Sequence, residues 1–542
     1  MRWIFAYFVI ISFATAQLNI PDLLINEKPT GIAGVRSRLS QKGVNYVASF
    51  LTNSLLTELV TVSINTAPQN VVTSGGNLIV NDMILGIHRA PESIETGLMP
   101  PNVVQLHVKN LNISSKASLS GGITEVAILN SPNALADIDV AVARTSIGAP
   151  NLRIVSCKLI HNSPVTLQMS EGIFKNGLLH EAPELLQSLL CSRIEFIVEE
   201  RINARFGLLN PKIPLANFNE EVIVKDLISK MIVVRRQRDI LRADRLPRDA
   251  LISSFNVTRA ENLFLDYTIS SDIVVTNAGL EIDTFGEVSL RGRGGTPFGA
   301  VPLALPSLAN AETMLQMAVS DFVPNSLMYH GHTIGLFNTR IDPSTPHFGA
   351  IMKTTCSLSS GTLFCLGDLF PTLRKLHSNR KLSMIFNTVQ APVILFKPSS
   401  DGGIHFSLLG KITIFLIDEA TTTEEQVAEM SIEVTAQMKL RLSSNTVRPK
   451  ISLNSIQLKT LSPGILLQKE LDSSVLLARE VLQRMVNDIL KEGIPIPVYP
   501  LMNLLKTKVK VLNRALLLQT DFDLNERFLR QLTAADLRKR VI

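Results

Sequence analysis

The stretch GVRSRLSQKGVNYVASFLTNSLLTELV, Gly34 to Val60, constrains the fold more than any other part of the chain. Ser40 is placed to cap a helix, and Val44, Val47, Ala48, Leu51, Leu55 and Leu59 follow it at three- and four-residue spacing. Tyr46, Phe50 and Leu56 widen this stripe beyond what an ordinary surface helix buries, leaving Asn45, Ser49, Thr52, Asn53 and Glu58 for water. Such a helix needs apolar cover on both flanks. A single sheet face supplies only one.

The neighbouring sequence supplies the sheet. NVVTSGGNLIVNDMILGIH, PPNVVQLHVKNLNISSKASLSGGITEVAIL and ADIDVAVART are short alternating runs broken by Gly-Gly, Pro-Pro or Ser-Pro-Asn. They predict an antiparallel, strongly curved sheet over residues 61–160 rather than βαβ units. A second helix is expected from about Gly177 to Phe206, with Leu185, Leu186, Leu189, Ile194, Ile197 and Val198 on its apolar side. The order then recurs. Residues 257–305 read as strands, 308–329 as a helical segment and 331–460 as strands again. A last helix is expected from about Lys469 to Lys491, ahead of IPIPVYPLMNLLKTKVKVLNRALLLQTDFDL. Two similar halves are implied.

The opening MRWIFAYFVIISFATAQ reads as a secretory signal peptide with cleavage after Ala16, which predicts a secreted, extracellular chain. Two glycosylation sequons fit that compartment, Asn112-Ile-Ser and Asn256-Val-Thr. Hydrophobic residues make up 46% and mean hydropathy is +0.23, yet no later window offers an uninterrupted apolar span of membrane length. Large cores or an apolar cavity are the remaining destinations for those side chains. The net charge of +6 is local: residues 17–213 carry 15 basic and 15 acidic side chains. The excess sits in RRQRDILRADRLPR, Arg235 to Arg248, and in the tail NERFLRQLTAADLRKRVI, a short basic amphipathic segment suited to an anionic lipid surface. No basic aromatic surface is apparent, so nucleic acid is not an expected partner.

Four cysteines in an oxidising compartment predict two disulfides, and spacing favours Cys157 with Cys191 and Cys356 with Cys365. Catalytic patterns are missing. There is no Gly-x-Ser-x-Gly elbow, no His-Glu-x-x-His and no Cys-x-x-Cys. His330 and His332, on an expected strand, are the only close histidine pair, and no cysteine or carboxylate lies beside them in sequence. LRGRGGTPFGA, Leu290 to Ala300, lacks the Gly-Lys-Ser/Thr of a phosphate cradle and reads as a loop. No catalytic residue, no metal ligand and no enzyme activity are expected.

Taken together, these landmarks resemble the family of bactericidal permeability-increasing protein, lipopolysaccharide-binding protein, phospholipid transfer protein and cholesteryl ester transfer protein. RLSQKGVNYV (Arg38 to Val47) is similar to that family's first strand entering its first helix, and MAVSDFVPNSLMY (Met317 to Tyr329) to the start of its second half. EGIPIPVYPLMNLLKTKVKVLNRALLL (Glu492 to Leu518) resembles its last strands, while Cys157 and Cys191 occupy the places of its shared disulfide. The resemblance implies an α+β fold: a boomerang of two elongated barrels, each a long helix wrapped in a highly curved antiparallel sheet, joined by a central sheet. The expected division is 17–213 for the first barrel, 214–256 for a charged linker, 257–523 for the central strands and second barrel, and 524–542 for the tail.

It further implies an apolar pocket in each barrel that holds the acyl chains of a phospholipid or similar lipid, with no cofactor. The lining would come from Val44, Val47, Phe50, Leu51, Leu55, Leu185 and Leu189 in the first half, and from Leu477, Val481 and Met485 in the second. Transient contact with a membrane or lipoprotein surface goes with that reading. Two alternatives are an innate-immune protein that binds bacterial lipopolysaccharide and a secreted carrier or structural glycoprotein that transfers nothing. The neutral first domain lacks the lysine-rich character of lipopolysaccharide binders.

Overall fold

The computed structural model describes residues 33–61, 68–89, 91–121, 123–170, 172–215, 262–306, 313–345, 349–356, 365–400, 402–418, 423–443, 446–489, 494–495 and 502–525. The expected signal segment, the Arg-rich linker, Asn256, the tail beyond residue 525 and the centre of the Cys356–Cys365 loop lie outside them.

The strand β1 (Val35–Leu39) runs directly into α1 (Gln41–Thr61), with Ser40 between them. The Ser40 hydroxyl accepts the Gly43 N–H at 3.3 Å, which satisfies one of the orphan donors of the first helical turn. Seven strands follow: β2 (Gln69–Thr73), β3 (Gly76–Arg89), β4 (Ser93–Met99), β5 (Val103–Ser120), β6 (Glu125–Arg144), β7 (Pro150–His161) and β8 (Thr166–Gln168). Then α2 (Lys175–Glu195) continues through π-helical turns at Phe196–Ile202 into the short α3 (Asn203–Phe206). The middle of the chain forms β9 (Lys212–Pro214), β10 (Leu263–Asp266), β11 (Val274–Thr276), β12 (Gly279–Thr284), β13 (Val288–Leu290) and β14 (Leu315–Ser320), followed by α4 (Phe322–Thr333). The second half holds β15 (Thr339–Ile341), the short α5 (Leu366–Leu369) and α6 (Pro371–Leu376), β16 (Lys381–Thr388), β17 (Val393–Phe396), β18 (Ile404–Ile417), β19 (Glu424–Ser443) and β20 (Thr446–Thr460). It closes with α7 (Gln468–Ile489), β21 (Ile494–Pro495), β22 (Met502–Leu512) and β23 (Ala515–Leu524).

The architecture is α+β with extensive antiparallel sheets. One seven-stranded sheet runs β2-β3-β5-β6-β7, with β4 on β5 and β8 on β6; a second runs β15-β16-β18-β19-β20-β21, with β17 on β18. A six-stranded sheet, β11-β12-β1-β14-β23-β22, binds the first strand of the chain to its last two. A small sheet, β13-β10-β9, completes the set. The first seven-stranded sheet packs on α2 through Leu178, Leu185, Leu186 and Leu189; the second on α7 through Leu471, Val475 and Leu482.

The six-stranded sheet carries a buried charge cluster that pins β1 in place. Arg38, 9% exposed, donates from Nε to Glu281 Oε1 at 2.8 Å and from Nη1 to the Pro306 carbonyl, while Arg36 reaches Glu281 Oε2 at 2.9 Å. Burial pushes the Glu281 carboxyl up, but hydrogen bonds and charge from Arg38 and Arg36 outweigh it and hold the group below its ordinary value.

Three expectations are corrected. LQMAVS, read as helical, is strand β14. It lies between β1 and β23, and the side buried more deeply carries Gln316, Ala318 and Ser320 while Met317 and Val319 are half-buried, the reverse of the apolar-in alternation that marks a half-exposed strand. The helix begins only at Phe322, and Pro324 falls in its first turn, where a missing N–H costs nothing. His330 and His332 lie on α4 rather than on a strand, and residues two apart on a helix do not share a face. His330 is buried, whereas the His332 ring lies 2.6 Å from Thr388 Oγ1. Finally, neither seven-stranded sheet closes into a barrel through strand pairing. The seam left open in each is covered by a helix.

Candidate functional site

An edge strand that ends against a helix leaves a row of unpaired N–H and C=O groups, and buried ones must find partners. Both halves solve this in the same way. On β7 the Leu152 N–H donates to Asn203 Oδ1 at 2.9 Å, and Asn203 Nδ2 donates back to the Leu152 carbonyl at 2.7 Å. One turn earlier, Glu199 Oε1 accepts the Ile154 N–H at 3.0 Å. On β20 the Ile451 N–H donates to Asn487 Oδ1 at 2.8 Å, Asn487 Nδ2 donates to the Ile451 carbonyl at 2.9 Å, and Gln483 Oε1 accepts the Leu453 N–H at 2.9 Å. Each asparagine imitates the missing neighbouring strand.

The repeat extends to the strand irregularities. The register of β7 against β6 slips between Asp139 and Val140, leaving Val155 unpaired, and that of β20 against β19 slips between Thr435 and Ala436, leaving Asn454 unpaired. Both bulges fall three residues after the residue clasped by the asparagine. Further along, Gln187 accepts the Leu159 N–H on β7, and Gln468 bonds both the Leu458 carbonyl and the Thr460 N–H on β20.

Between these stitches the halves differ. On β7 the gap is closed covalently, because Cys157 is bonded to Cys191 of α2. Cys157 lies five residues beyond Leu152 and Cys191 twelve before Asn203; the same steps from Ile451 and Asn487 reach Ile456 and Val475. These two are apolar. Among the described residues, no side chain of α7 is hydrogen-bonded to β20 between Leu453 and Leu458.

A cavity of about 150 Å³ borders that gap at Ser474 and Leu458. Leu477, Ala478 and Leu482 of α7 form one wall, and Met430, Ile432 and Leu458 of the sheet another. Met352, Leu366, Leu369 and Phe370 close its end. Ser474 is the one hydroxyl in the lining, and its Oγ donates to the Leu471 carbonyl at 2.7 Å. Nothing in such a lining can orient a polar ligand; it can only shed water from hydrocarbon.

Of the residues singled out in the sequence, Leu477 lines this cavity, and the side chains of Val481 and Met485 lie outside the described ones. In the first half, Leu185 and Leu189 are buried in one core with Leu59 of α1 and Leu78 and Leu85 of β3. Val44 is buried, Phe50 and Leu51 are half-buried, and the Leu55 side chain is outside the described residues. Val47 and Tyr46 pack on the six-stranded sheet, where the Tyr46 ring meets Phe522 edge-on at 5.7 Å. The two flanks of α1 are thus covered by different sheets. Near the end of α1, Arg193 of α2 is 3% exposed and donates to the carbonyls of Leu59 (2.7 Å) and Met83 (3.2 Å); burial holds its pKa below the ordinary value. Asn112 lies half-buried within β5.

Sequence reading missed the contribution of α5 and α6 to the cavity and the whole system of stitches. The paired polar residues Glu199/Asn203 and Gln483/Asn487, each four apart on a helix beside apolar neighbours, were the available signal. Among the described residues, Cys356, Cys365 and Asp368 are the one group whose Cys, His or carboxylate atoms come close enough to hold a metal, within 4.8 Å. Cys356 and Cys365 are bonded to each other, which occupies both sulfurs.

Residues 258–524 match the C-terminal domain of the LBP / BPI / CETP family. A bactericidal permeability-increasing protein of Sebastes schlegelii is 24% identical over 262 residues, which are 47% of this chain and 52% of that protein. The chain thus spans about half the length of that curated relative. Among solved structures, a lipopolysaccharide binding protein is 16% identical, with 91% of this chain and 99% of that one covered and a TM-score of 0.49. No helix among the described residues is long and apolar enough to cross a membrane.

Proposed function

Because residues 258–524 match the C-terminal domain of the LBP / BPI / CETP family, we propose that the chain is a secreted protein of that family that binds and transfers lipid, holding phospholipid-like acyl chains in apolar pockets beneath its long helices. The observation that carries this reading is the cavity under α7, whose lining is apolar apart from the Ser474 hydroxyl, itself bonded to the Leu471 carbonyl. Each CH₂ moved from water into such a lining contributes about 0.8 kcal/mol, so an acyl chain is held tightly without a polar contact. At about 150 Å³ the cavity is below the ~300 Å³ at which drug-sized ligand pockets begin, so α7 must move outward to admit a lipid. On this reading the two halves are elongated barrels completed by their helices and arranged as a boomerang, and the first-half pocket is lined by Phe50, Leu51, Leu185 and Leu189. The bound lipid is phospholipid or a close relative, exchanged transiently with a membrane or lipoprotein surface. The balance of charge in residues 17–213 weighs against lipopolysaccharide as the ligand.

Mass spectrometry of lipid extracted from the purified, secreted full chain tests the proposal. Co-purified phospholipid is the expected result. An empty extract from a folded sample would support a carrier or structural glycoprotein instead.

A further inference from the structure

The seam between β20 and α7 is not uniform. At one end Asn487, Gln483 and Arg479 bond the backbone of Ile451 and Leu453; at the other Gln468 bonds Leu458 and Thr460. The helix is also anchored at its start, where Glu470 Oε1 accepts both the N–H and the hydroxyl of Thr372 at the head of α6. Between the two sets of stitches the helix and the strand meet through the core that contains Ile456 and Val475. Ser474 and Leu458, which flank this gap, both line the cavity. In the first half the equivalent gap is bridged by Cys157–Cys191.

We propose that this unstitched stretch, over Ile456 and Val475, is the portal by which an acyl chain reaches the second-half cavity. The inference rests on the lipid reading above. Magnitudes favour the gap over every other point of the seam. Parting the helix from the strand at a stitch leaves buried amide groups without partners, each at a desolvation cost that nothing offsets. Parting it at Ile456 breaks no side-chain hydrogen bond between helix and strand among the described residues, and a hydrocarbon chain replaces the apolar contact it displaces. In the first half the equivalent gap is bridged covalently, so this route is confined to the second half.

The test uses the full chain with Ile456→Cys and Val475→Cys together, oxidised, and each single substitution as a control. Uptake of pyrene-labelled phosphatidylcholine from phosphatidylcholine vesicles is followed by fluorescence. The cross-linked protein is expected to take up the probe at least about tenfold more slowly than either control, the change that ~1.4 kcal/mol on the barrier produces. Uptake at the control rate by protein shown to be cross-linked overturns the portal. Should the cross-link not form, Gln483→Leu with Asn487→Leu removes the neighbouring stitches; faster uptake is expected, and an unchanged rate overturns the proposal. If wild-type protein takes up no probe and yields no lipid on extraction, the lipid reading itself fails, which is a different outcome from uptake that ignores the cross-link.

Discussion

The two halves of this molecule fasten a long helix to the edge of a curved sheet with the same asparagine clasp, the same bulge and the same accepting side chain four residues before the clasp. They part at one point. Where α2 is bonded to β7 through Cys157–Cys191, α7 meets β20 through apolar side chains at Ile456 and Val475. The fastening repeats where backbone groups have to be satisfied, because an unmet buried amide is costly in either half. It diverges where, among the described residues, no helix side chain is hydrogen-bonded to the strand and the contact is covalent in one half and apolar in the other. That divergence is the place at which one half can be rigid and the other mobile.

The largest expected effect comes from erasing the difference. Cys157→Ala with Cys191→Ala removes a bond whose residues lie 34 apart in sequence, worth about 4 kcal/mol in the chain-entropy description. Thermal unfolding should show a first transition moved to lower temperature, and amides of β7 should lose protection while those of β20 keep theirs. Peptide mapping without reduction supplies the prior check, since a free thiol at either position would remove the contrast.

A second comparison sets Leu185→Asp against Leu477→Asp. Leu185 is more deeply buried, in a core with Leu59, Leu78 and Leu85, so an unpaired charge there should cost several kcal/mol and lower the yield of folded protein as strongly as its lipid content. Leu477 borders the cavity and is half-buried, so its replacement should lower lipid content far more than it lowers yield. Equal losses of lipid and yield at Leu477 would make that position ordinary core.

The clasps offer a finer test. Asn203→Ala and Asn487→Ala each remove two hydrogen bonds to the strand, and Asn487→Ala a third to the Gln483 carbonyl, at about 1–3 kcal/mol. The loss at Asn487 should increase exchange of the Ile451 amide more than the loss at Asn203 does at Leu152, because the disulfide still holds β7.

The smallest effect expected is shared by both halves. Glu281 is held below its ordinary pKa in the folded chain, so its contribution is present above about 4.5 and is lost as pH falls through the lower folded value. Glu281→Gln should flatten the acid limb of stability, and β1 and β14 should respond together because Arg38 and Gln316 meet at that cluster. A response confined to one half would show that the six-stranded sheet does not couple them.

Much of this was legible in the sequence wherever the signal is local. The Ser40 cap, the reach of the second helix to Phe206 and the start of the last helix within a residue of Lys469 follow from capping chemistry and apolar spacing. The favoured cysteine pairing followed from short separations along the chain. What local reading lost depends on neighbours distant in sequence. LQMAVS is misread because it is an interior strand between β1 and β23 whose more deeply buried side is polar or small, and the stitches are invisible until β7, and β20 beyond its short pairing with β21, are known to be edges. The open seams are likewise a property of pairing, to which no single residue is a guide. In the site, the apolar face of α7 was readable, whereas the wall from Met352, Leu366 and Phe370 comes from a loop region whose spacing carries no period.

Amide hydrogen exchange in a single sample of the full chain tests the central claim most directly, by comparing residues 454–457 of β20 with residues 155–158 of β7. The account predicts that the β20 segment exchanges faster by at least about tenfold, through local opening of α7 that leaves the rest of the second sheet protected. Equal protection of the two segments, or faster exchange in β7, would contradict it.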